Sequence, residues 1–528
     1  MAERNKTPDE LRELLDASSD ILLEGLNSKQ FTSLDLVKAF IRNIDAVNAQ
    51  FRAVLEINPD AYSIAIQSDY ERTHGILRGP LHGLPVLIKG NIGTKDRVQT
   101  TAGSYALLST VIVEDSTVVT KLRDQGLIIL GKTSLTEWSM FRSNNWPHAW
   151  NPISGQTYGA YYPKQCPGGS SGGSAVACDL GLAWATVGTE TDGSIVIPSE
   201  RNNIVGIKPT VGLTSRYLVV PVSEHQDTIG PMARTVKDAA RLLQVLSGPD
   251  VRDKYTLLSP FGPNLPDYVA ACRFNGLRGK RIGIPRNVIR ASTDMVSHSI
   301  CAFENAISLM AESGATMVED ADFTAYEQLR ERKYNPVTRA DFARNLPEYM
   351  RQLEHNPHMI ESVRDLRDFT RNCPEEEYPL RNTSVWDCII DTAIDNTSPE
   401  FVSMYAENMR LGGEGGILGA LERFRLDAIV LPTALAPFAP ALVGTPIITV
   451  PLGVASAEAK VTKEAFGDAI ETAPGLPIGI SFLGRRWSEE LLIEIAYAFE
   501  QRTLVRHELE KRRRLGLVGV AGCRGGED

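Results

Sequence analysis

The stretch Gly168-Gly169-Ser170-Ser171-Gly172-Gly173-Ser174, continued by Gly188-Thr189-Glu190-Thr191-Asp192-Gly193-Ser194, decides how this chain reads. Glycines admit positive φ and let the backbone approach a ligand closely. Successive N–H groups in such a run can converge on one point, which suits a developing oxyanion. A Gly/Ser-rich linker would lack the apolar residues interleaved here, Ala175-Val176-Ala177 and Leu180 to Val187. Those read as a packed helix and strand. The residues therefore indicate a functional loop set into a core. They do not choose among Ser170, Ser171, Ser174 and Ser194.

Working outward, short apolar runs bounded by breakers read as buried strands. They are Leu84 to Ile88, Leu127 to Leu130, Asp427 to Leu431, Ile447 to Val450 and Ile478 to Phe482. Helical patterns lie between them, for example Ser116 to Gln125 and Val236 to Leu246. Thr32 with Asp35 forms an N-cap pattern ahead of Val37, Phe40, Ile41, Ile44 and Val47. Alternating strands and helices predict an α/β protein with a parallel or mixed sheet. The expected divisions are a helical N-terminal region (1–75), a core with the Gly/Ser loop (76–250), a mainly helical insertion (251–420), the C-terminal part of the sheet (421–505) and a basic, flexible tail (506–528). Gly412-Gly413-Glu414-Gly415-Gly416 reads as a loop before the chain returns to strands.

Two literal motif matches fail on mechanism. Gly126 to Thr133 fits the phosphate-binding loop pattern, but its variable positions are Leu-Ile-Ile-Leu, which read as a strand. Gly168 to Gly172 fits a nucleophile elbow, yet Pro163 to Pro167 before it makes a poor strand. None of the eight histidines stands in a convincing catalytic context, and His355 with His358 has no third metal ligand in sequence. No metal and no cofactor are expected.

Composition bounds the rest. The 528 residues carry a net charge of −10, so nothing attracts nucleic acid or an anionic membrane over long range. The one dense basic run is Lys511 to Arg514. Seven cysteines without a Cys-x-x-Cys pair argue against a disulfide framework or a zinc site. Met1 to Glu10 lacks the apolar core of a signal peptide, and no stretch approaches the roughly 18 apolar residues of a membrane span. A cytoplasmic location is the resulting expectation.

Several ordered blocks resemble the amidase signature family. They are Gly83 to Lys89, Thr100 to Ser104, Pro167 to Ser174, Gly188 to Ile195, Gly206 to Thr210, Asp227 to Thr235, Gly444 to Pro451 and Gly475 to Ile480. The resemblance spans about residues 30 to 505 and is weak across 250–420. The form Glu190-Thr191-Asp192-Gly193-Ser194 is most similar to the peptide amidase subgroup. It implies a large mixed sheet with helices on both faces and hydrolysis of a carboxamide, either a C-terminal peptide amide or a small aliphatic or aryl amide. The partner is then a small-molecule or peptide substrate, and the protein a monomer or homodimer.

The resemblance also implies the roles. Ser194 is the nucleophile, Ser170 the relay serine behind a cis peptide bond, and Lys89 the base. The N–H groups of Thr191, Asp192, Gly193 and Ser194 form the oxyanion hole, with Ser171, Asn91 and Asp227 in support. A lysine acts as a base only when neutral, so burial must depress its pKa from about 10.4. The family usually has Lys-Asp-Asn where this chain has Lys89-Gly90-Asn91; loss of that carboxylate should favour the neutral amine. Trp146 and Tyr158 are candidates for an aromatic substrate pocket, against the alternative that they only pack their loop. The competing functions are a glutamine-amidase subunit of an amidotransferase complex and a catalytically silent binding protein.

Overall fold

Eleven strands form one mixed sheet in the computed structural model, which describes residues 14–332 and 334–514. In chain order they are β1 (Val54–Ile57), β2 (Pro85–Lys89), β3 (Ile128–Thr133), β4 (Ala185–Glu190), β5 (Val205–Lys208), β6 (Thr228–Ala233), β7 (Arg281–Gly283), β8 (Thr316–Val318), β9 (Ala428–Pro432), β10 (Ile447–Val454) and β11 (Pro477–Leu483). Their order across the sheet is β1-β3-β2-β4-β6-β5-β10-β11-β9-β7-β8. Strands β3, β2 and β4 run parallel, as do β9, β7 and β8, and antiparallel pairs join the two groups. Every residue of β2, β3 and β4 is buried, which explains why Leu84 to Ile88 and Leu127 to Leu130 read as unbroken apolar runs rather than alternating ones.

Helices cover both faces. Those used below are α1 (Ser33–Phe51), α2 (Gly172–Asp179), α3 (Val196–Arg201), α4 (Val236–Leu246), α5 (Pro336–Met350) and α6 (Glu489–Thr503). The capping box predicted at α1 is present: Thr32 Oγ1 accepts from Asp35 N at 3.1 Å, and the Asp35 carboxylate accepts from Thr32 N at 2.9 Å. Helix α4 buries Val236, Ala239, Ala240, Leu242, Leu243 and Leu246. Burying each such Leu or Val fully stabilises the fold by about 1.5–3 kcal/mol.

Several expectations change. The N-terminal region is not only helical, because β1 pairs antiparallel with β3 at the sheet edge. The 251–420 segment is not simply an insertion on the sheet, since β7 and β8 belong to the sheet and lie inside it. These two strands have three residues each, too short for a period to show. The glycines at 412–416 do not form an open loop. Met409–Glu414 is a wide π-helical turn leading into the helix Ile417–Arg423. Residues 505–514 are helical rather than a loose tail, and Arg506 anchors them by donating to Asp179 Oδ1 at 3.0 Å and to Asn203 O at 2.6 Å. Met1 to Glu10, Cys523 and the rest of the tail lie outside the described residues.

Candidate active site

The parallel pairing of β2 with β4 builds the site. Ile88 lies opposite Val187, so Lys89 and the turn after Glu190 emerge side by side at the carboxyl ends of two adjacent strands. Such ends are where α/β sheets place ligands. Ser170 arrives from the other direction, two residues ahead of α2, which leads back into β4. The Gly169–Ser170 peptide bond is cis, as the resemblance implied. Ser170 O accepts from Thr136 N at 2.9 Å, and Ser171 N donates to Ser194 O at 3.1 Å, stitching the two loops together.

Lys89 is fully buried. Its Nζ lies 2.7 Å from Ser170 Oγ, 2.9 Å from Thr189 Oγ1 and 3.2 Å from Thr189 O. Burial pushes its pKa down to about 7, although the nearby Asp227 and Glu190 carboxylates pull the other way. A neutral amine has two N–H groups and one lone pair. Three partners match that set when both Thr189 oxygens accept and the Ser170 hydroxyl donates. Asn91 Nδ2 donates to Thr189 Oγ1 at 3.1 Å, which holds this acceptor in place.

The turn that carries Ser194 is organised by Glu190, a residue to which the sequence alone assigns no role. The Glu190 carboxylate accepts from the N–H groups of Gly193 (2.9 Å), Ile195 (2.6 Å) and Val196 (3.0 Å). It thereby satisfies donors at the start of α3 that have no intrahelical partner. Gly193 has φ +80°, a conformation that suits glycine. Its N–H is engaged by Glu190, which corrects the expectation that all four N–H groups serve an oxyanion. Ser194 is 5% exposed. Asp227 supports the turn: its carboxylate accepts from Thr191 Oγ1 at 2.5 Å, Val222 N at 2.7 Å and Ser223 N at 2.9 Å. Burial pushes the Asp227 pKa up, against those hydrogen bonds. Ser171 Oγ donates to Thr189 O at 3.0 Å. The signal for Thr189 and Glu190 is their place inside the block Gly188 to Ile195; their roles require the fold.

The aromatic pocket expected at Trp146 and Tyr158 is not formed. Trp146 is buried against Trp150, with ring centroids 5.2 Å apart, and under the Arg142 guanidinium at 4.9 Å. Arg142 is itself buried between Glu137 and Glu376. Tyr158 donates to Asp468 at 2.8 Å. Packing takes up the Trp146 ring, and Asp468 takes up the Tyr158 hydroxyl. A cleft does adjoin the partners of Lys89, lined by Asn91, Thr189, Thr191, Asp227, Asn345 and Tyr349. The last two come from α5, so the helical region reaches the site. Asn335 Nδ2 also donates to Gln226 Oε1 at 2.5 Å, and Gln226 Nε2 to Thr191 O at 3.4 Å.

The other motifs resolve as structure. Gly126 to Thr133 enters β3, and Lys132 is buried with its Nζ bonded to Ile92 O and Thr100 Oγ1. His358 packs at a tilt against Phe369, with ring centroids 4.6 Å apart. At Gly90 a Cβ would stand 2.7 Å from Leu55 Cδ1 and 3.2 Å from Leu135 Cδ2, so leucine side chains crowd the position where the family carries a carboxylate. Among the described residues no helix is long and apolar enough to cross a membrane.

A sheet of this topology with a buried lysine, a cis-serine and a serine turn at its strand ends defines an amide-hydrolysing enzyme of the amidase class. The Amidase family model matches residues 35–493, and the chain belongs to that family. An amidase-named protein of Arthroderma benhamiae is 49% identical over 526 residues, spanning 95% of this chain and 88% of that one. The solved peptide amidase of Stenotrophomonas maltophilia is 35% identical with a TM-score of 0.83, spanning 93% of this chain and 98% of that one. One component of the glutamyl-tRNA(Gln) amidotransferase of a Geobacter species is 30% identical over 503 residues, spanning 93% of this chain and 98% of that one.

Proposed function

We propose that this enzyme cleaves a carboxamide, a C-terminal peptide amide or a small aliphatic or aryl amide, through an acyl-enzyme on Ser194. The observation that carries the reading is Lys89, buried, bonded to Ser170 Oγ at 2.7 Å and with its pKa brought to about 7. A serine hydroxyl is a weak nucleophile until a base removes its proton. In this reading neutral Lys89 takes the Ser170 proton as Ser170 takes that of Ser194. Ser194 Oγ then attacks the amide carbonyl. The N–H groups of Thr191, Asp192 and Ser194 stabilise the oxyanion, while Gly193 stays with Glu190. One such donor typically contributes about 10²–10³ in rate. The proton returns through Ser170 to the leaving nitrogen, and ammonia or an amine departs. Water enters by the same relay and releases the carboxylate.

Tyr349 and Asn345, which line the cleft beside Thr191, are the proposed route by which the helical region selects the amide. The test is ammonia release from C-terminally amidated peptides, simple amides and glutamine, with Ser194→Ala as control. Turnover of amidated peptides or simple amides supports the reading. Turnover of glutamine alone, and only with a partner protein present, would assign the chain to an amidotransferase. No turnover of any amide by the folded protein would assign it a binding role.

A further inference from the structure

Outside the catalytic residues, four side chains from three separate segments converge. His148 Nδ1, Cys166 Sγ and one oxygen each from Glu464 and Glu471 lie within 4.8 Å of one another. Cys166 is buried, the Glu464 side chain is nearly so, and His148 and Glu471 are half-buried. Cys166 Sγ is 2.9 Å from Glu464 Oε1 and 3.8 Å from His148 Nδ1, and the Glu464 carboxylate also bonds His148. The second oxygen of Glu464, whose side chain is 4% exposed, is buried without a hydrogen-bond partner. A buried acceptor left unmatched costs about 1–3 kcal/mol. This carboxylate therefore has unused capacity inside a set of nitrogen, sulfur and oxygen donors.

We propose that this cluster is a structural site for a divalent cation of zinc type. Thiolate, imidazole and carboxylate together form the donor set that zinc takes in tetrahedral sites. With bonds of about 2.0 Å to nitrogen and 2.3 Å to sulfur, tetrahedral ligands stand about 3.5 Å apart. The 3.8 Å between His148 Nδ1 and Cys166 Sγ is close to that spacing, whereas Glu464 Oε1, 2.9 Å from Sγ, must move back so that the carboxylate can present its unpartnered oxygen. Charge also balances. Two carboxylates and a thiolate carry three negative charges, matched by a dication and by Arg201, which pairs with Glu471. Ligation requires the thiolate, so uptake of the metal releases the Cys166 proton to solvent. A cleft lined by Cys166, Arg201, His298 and Glu471 gives access from outside. Gly168 N donates to Cys166 Sγ at 3.4 Å, a contact of the kind that supports a ligating sulfur.

The site has a mechanical consequence. Glu464 and Glu471 belong to the hairpin formed by Thr462–Lys463 and Ile470–Thr472. Cys166 stands four residues before Ser170, and His148 lies in the loop before Trp150. A bound metal ties the hairpin to the stretch of chain that positions Ser170. It takes no part in the chemistry at Ser194.

The test is calorimetric titration of the full-length protein, first stripped with a chelator, using zinc chloride alone as the probe. The expected result is one zinc per chain with proton release, a higher Tm, and affinity at least 10-fold lower in Cys166→Ser and in Glu464→Gln. Cobalt(II) in place of zinc should give a sulfur-to-metal charge-transfer band that Cys166→Ser abolishes. Cys178→Ser, at another buried cysteine, should leave both unchanged. If Cys166→Ser does not fold, His148→Ala and Glu464→Gln carry the comparison. No zinc bound by the wild-type protein, or binding of equal affinity in the cluster variants, would overturn the proposal.

Discussion

Thr189→Val isolates what sets the basicity of Lys89. The substitution keeps the branched shape and removes only the hydroxyl, which accepts from Lys89 Nζ at 2.9 Å and from Asn91 Nδ2 at 3.1 Å. A hydrogen bond to a charged group is worth about 1.5–3 kcal/mol, and one between neutral groups about 0.5–1.5 kcal/mol. Removing the acceptor therefore destabilises the ammonium more than the amine, by about 1 kcal/mol. At 1.36 kcal/mol per pH unit, the Lys89 pKa falls by roughly 0.7 from its position near 7. Because the neutral amine is the active form, activity rises with pH through this value, and the variant should reach its plateau at lower pH. The plateau itself should drop, since Lys89 is held less firmly. The assay is kcat/KM for a simple amide from pH 5 to 9, with the fold checked by circular dichroism. A limb that stays in place, or moves to higher pH, would show that the Thr189 hydroxyl does not hold up the Lys89 pKa.

Four further outcomes follow from the same geometry. Glu190→Gln leaves at least one of the Gly193, Ile195 and Val196 N–H groups without its acceptor, at about 1–3 kcal/mol; kcat should fall by about 10–100-fold with a smaller change in KM, and an unaltered kcat would contradict this. Gly90→Asp crowds Leu55 and Thr133, so Tm should drop by the equivalent of about 1–3 kcal/mol; in whatever fraction folds, the new carboxylate should move the activity limb to higher pH, and an unchanged limb would remove the significance given to Gly90. Burial lowers the Lys132 pKa from 10.5 to about 7, so between these values the unfolded chain binds more protons and stability rises with pH; Lys132→Met should flatten that rise in urea titrations from pH 7.5 to 9.5, and an equal or steeper slope would contradict it. Tyr349→Ala opens the cleft beside Thr191 and should change KM unequally across a panel of amides, whereas a uniform effect would argue against a role in selection.

The parts of this protein that were legible in sequence share a physical trait. Strands β2, β3, β9, β10 and β11 are long enough and apolar enough to stand out, and α4 repeats its apolar residues at helical spacing. Strands β1, β7 and β8 have three or four residues, and β6 carries Gly230 and Pro231. Their membership in the sheet comes from long-range pairing rather than local pattern. At the site, glycine and serine spacing marked the loop, while the choice of Ser194 and Lys89 rested on resemblance to a family. The parallel register of β2 and β4 brings Lys89 beside Thr189 and the turn that leads to Ser194. Thr189 and Glu190 act through contacts made only after the turn has folded. Trp146 misled because a run of aromatics reads alike whether it lines a pocket or, as here, packs under Arg142.

The proposed covalent role of Ser194 can be read from the acyl-enzyme itself, once that species is trapped. A slowly deacylating amide or activated ester is incubated with the enzyme, the reaction is quenched in acid, and the digested peptides are examined by mass spectrometry. One acyl group per chain is expected, on Ser194, absent from Ser194→Ala and formed far more slowly in Lys89→Ala. An adduct on Ser170 or Ser171, or steady hydrolysis by Ser194→Ala, would contradict it.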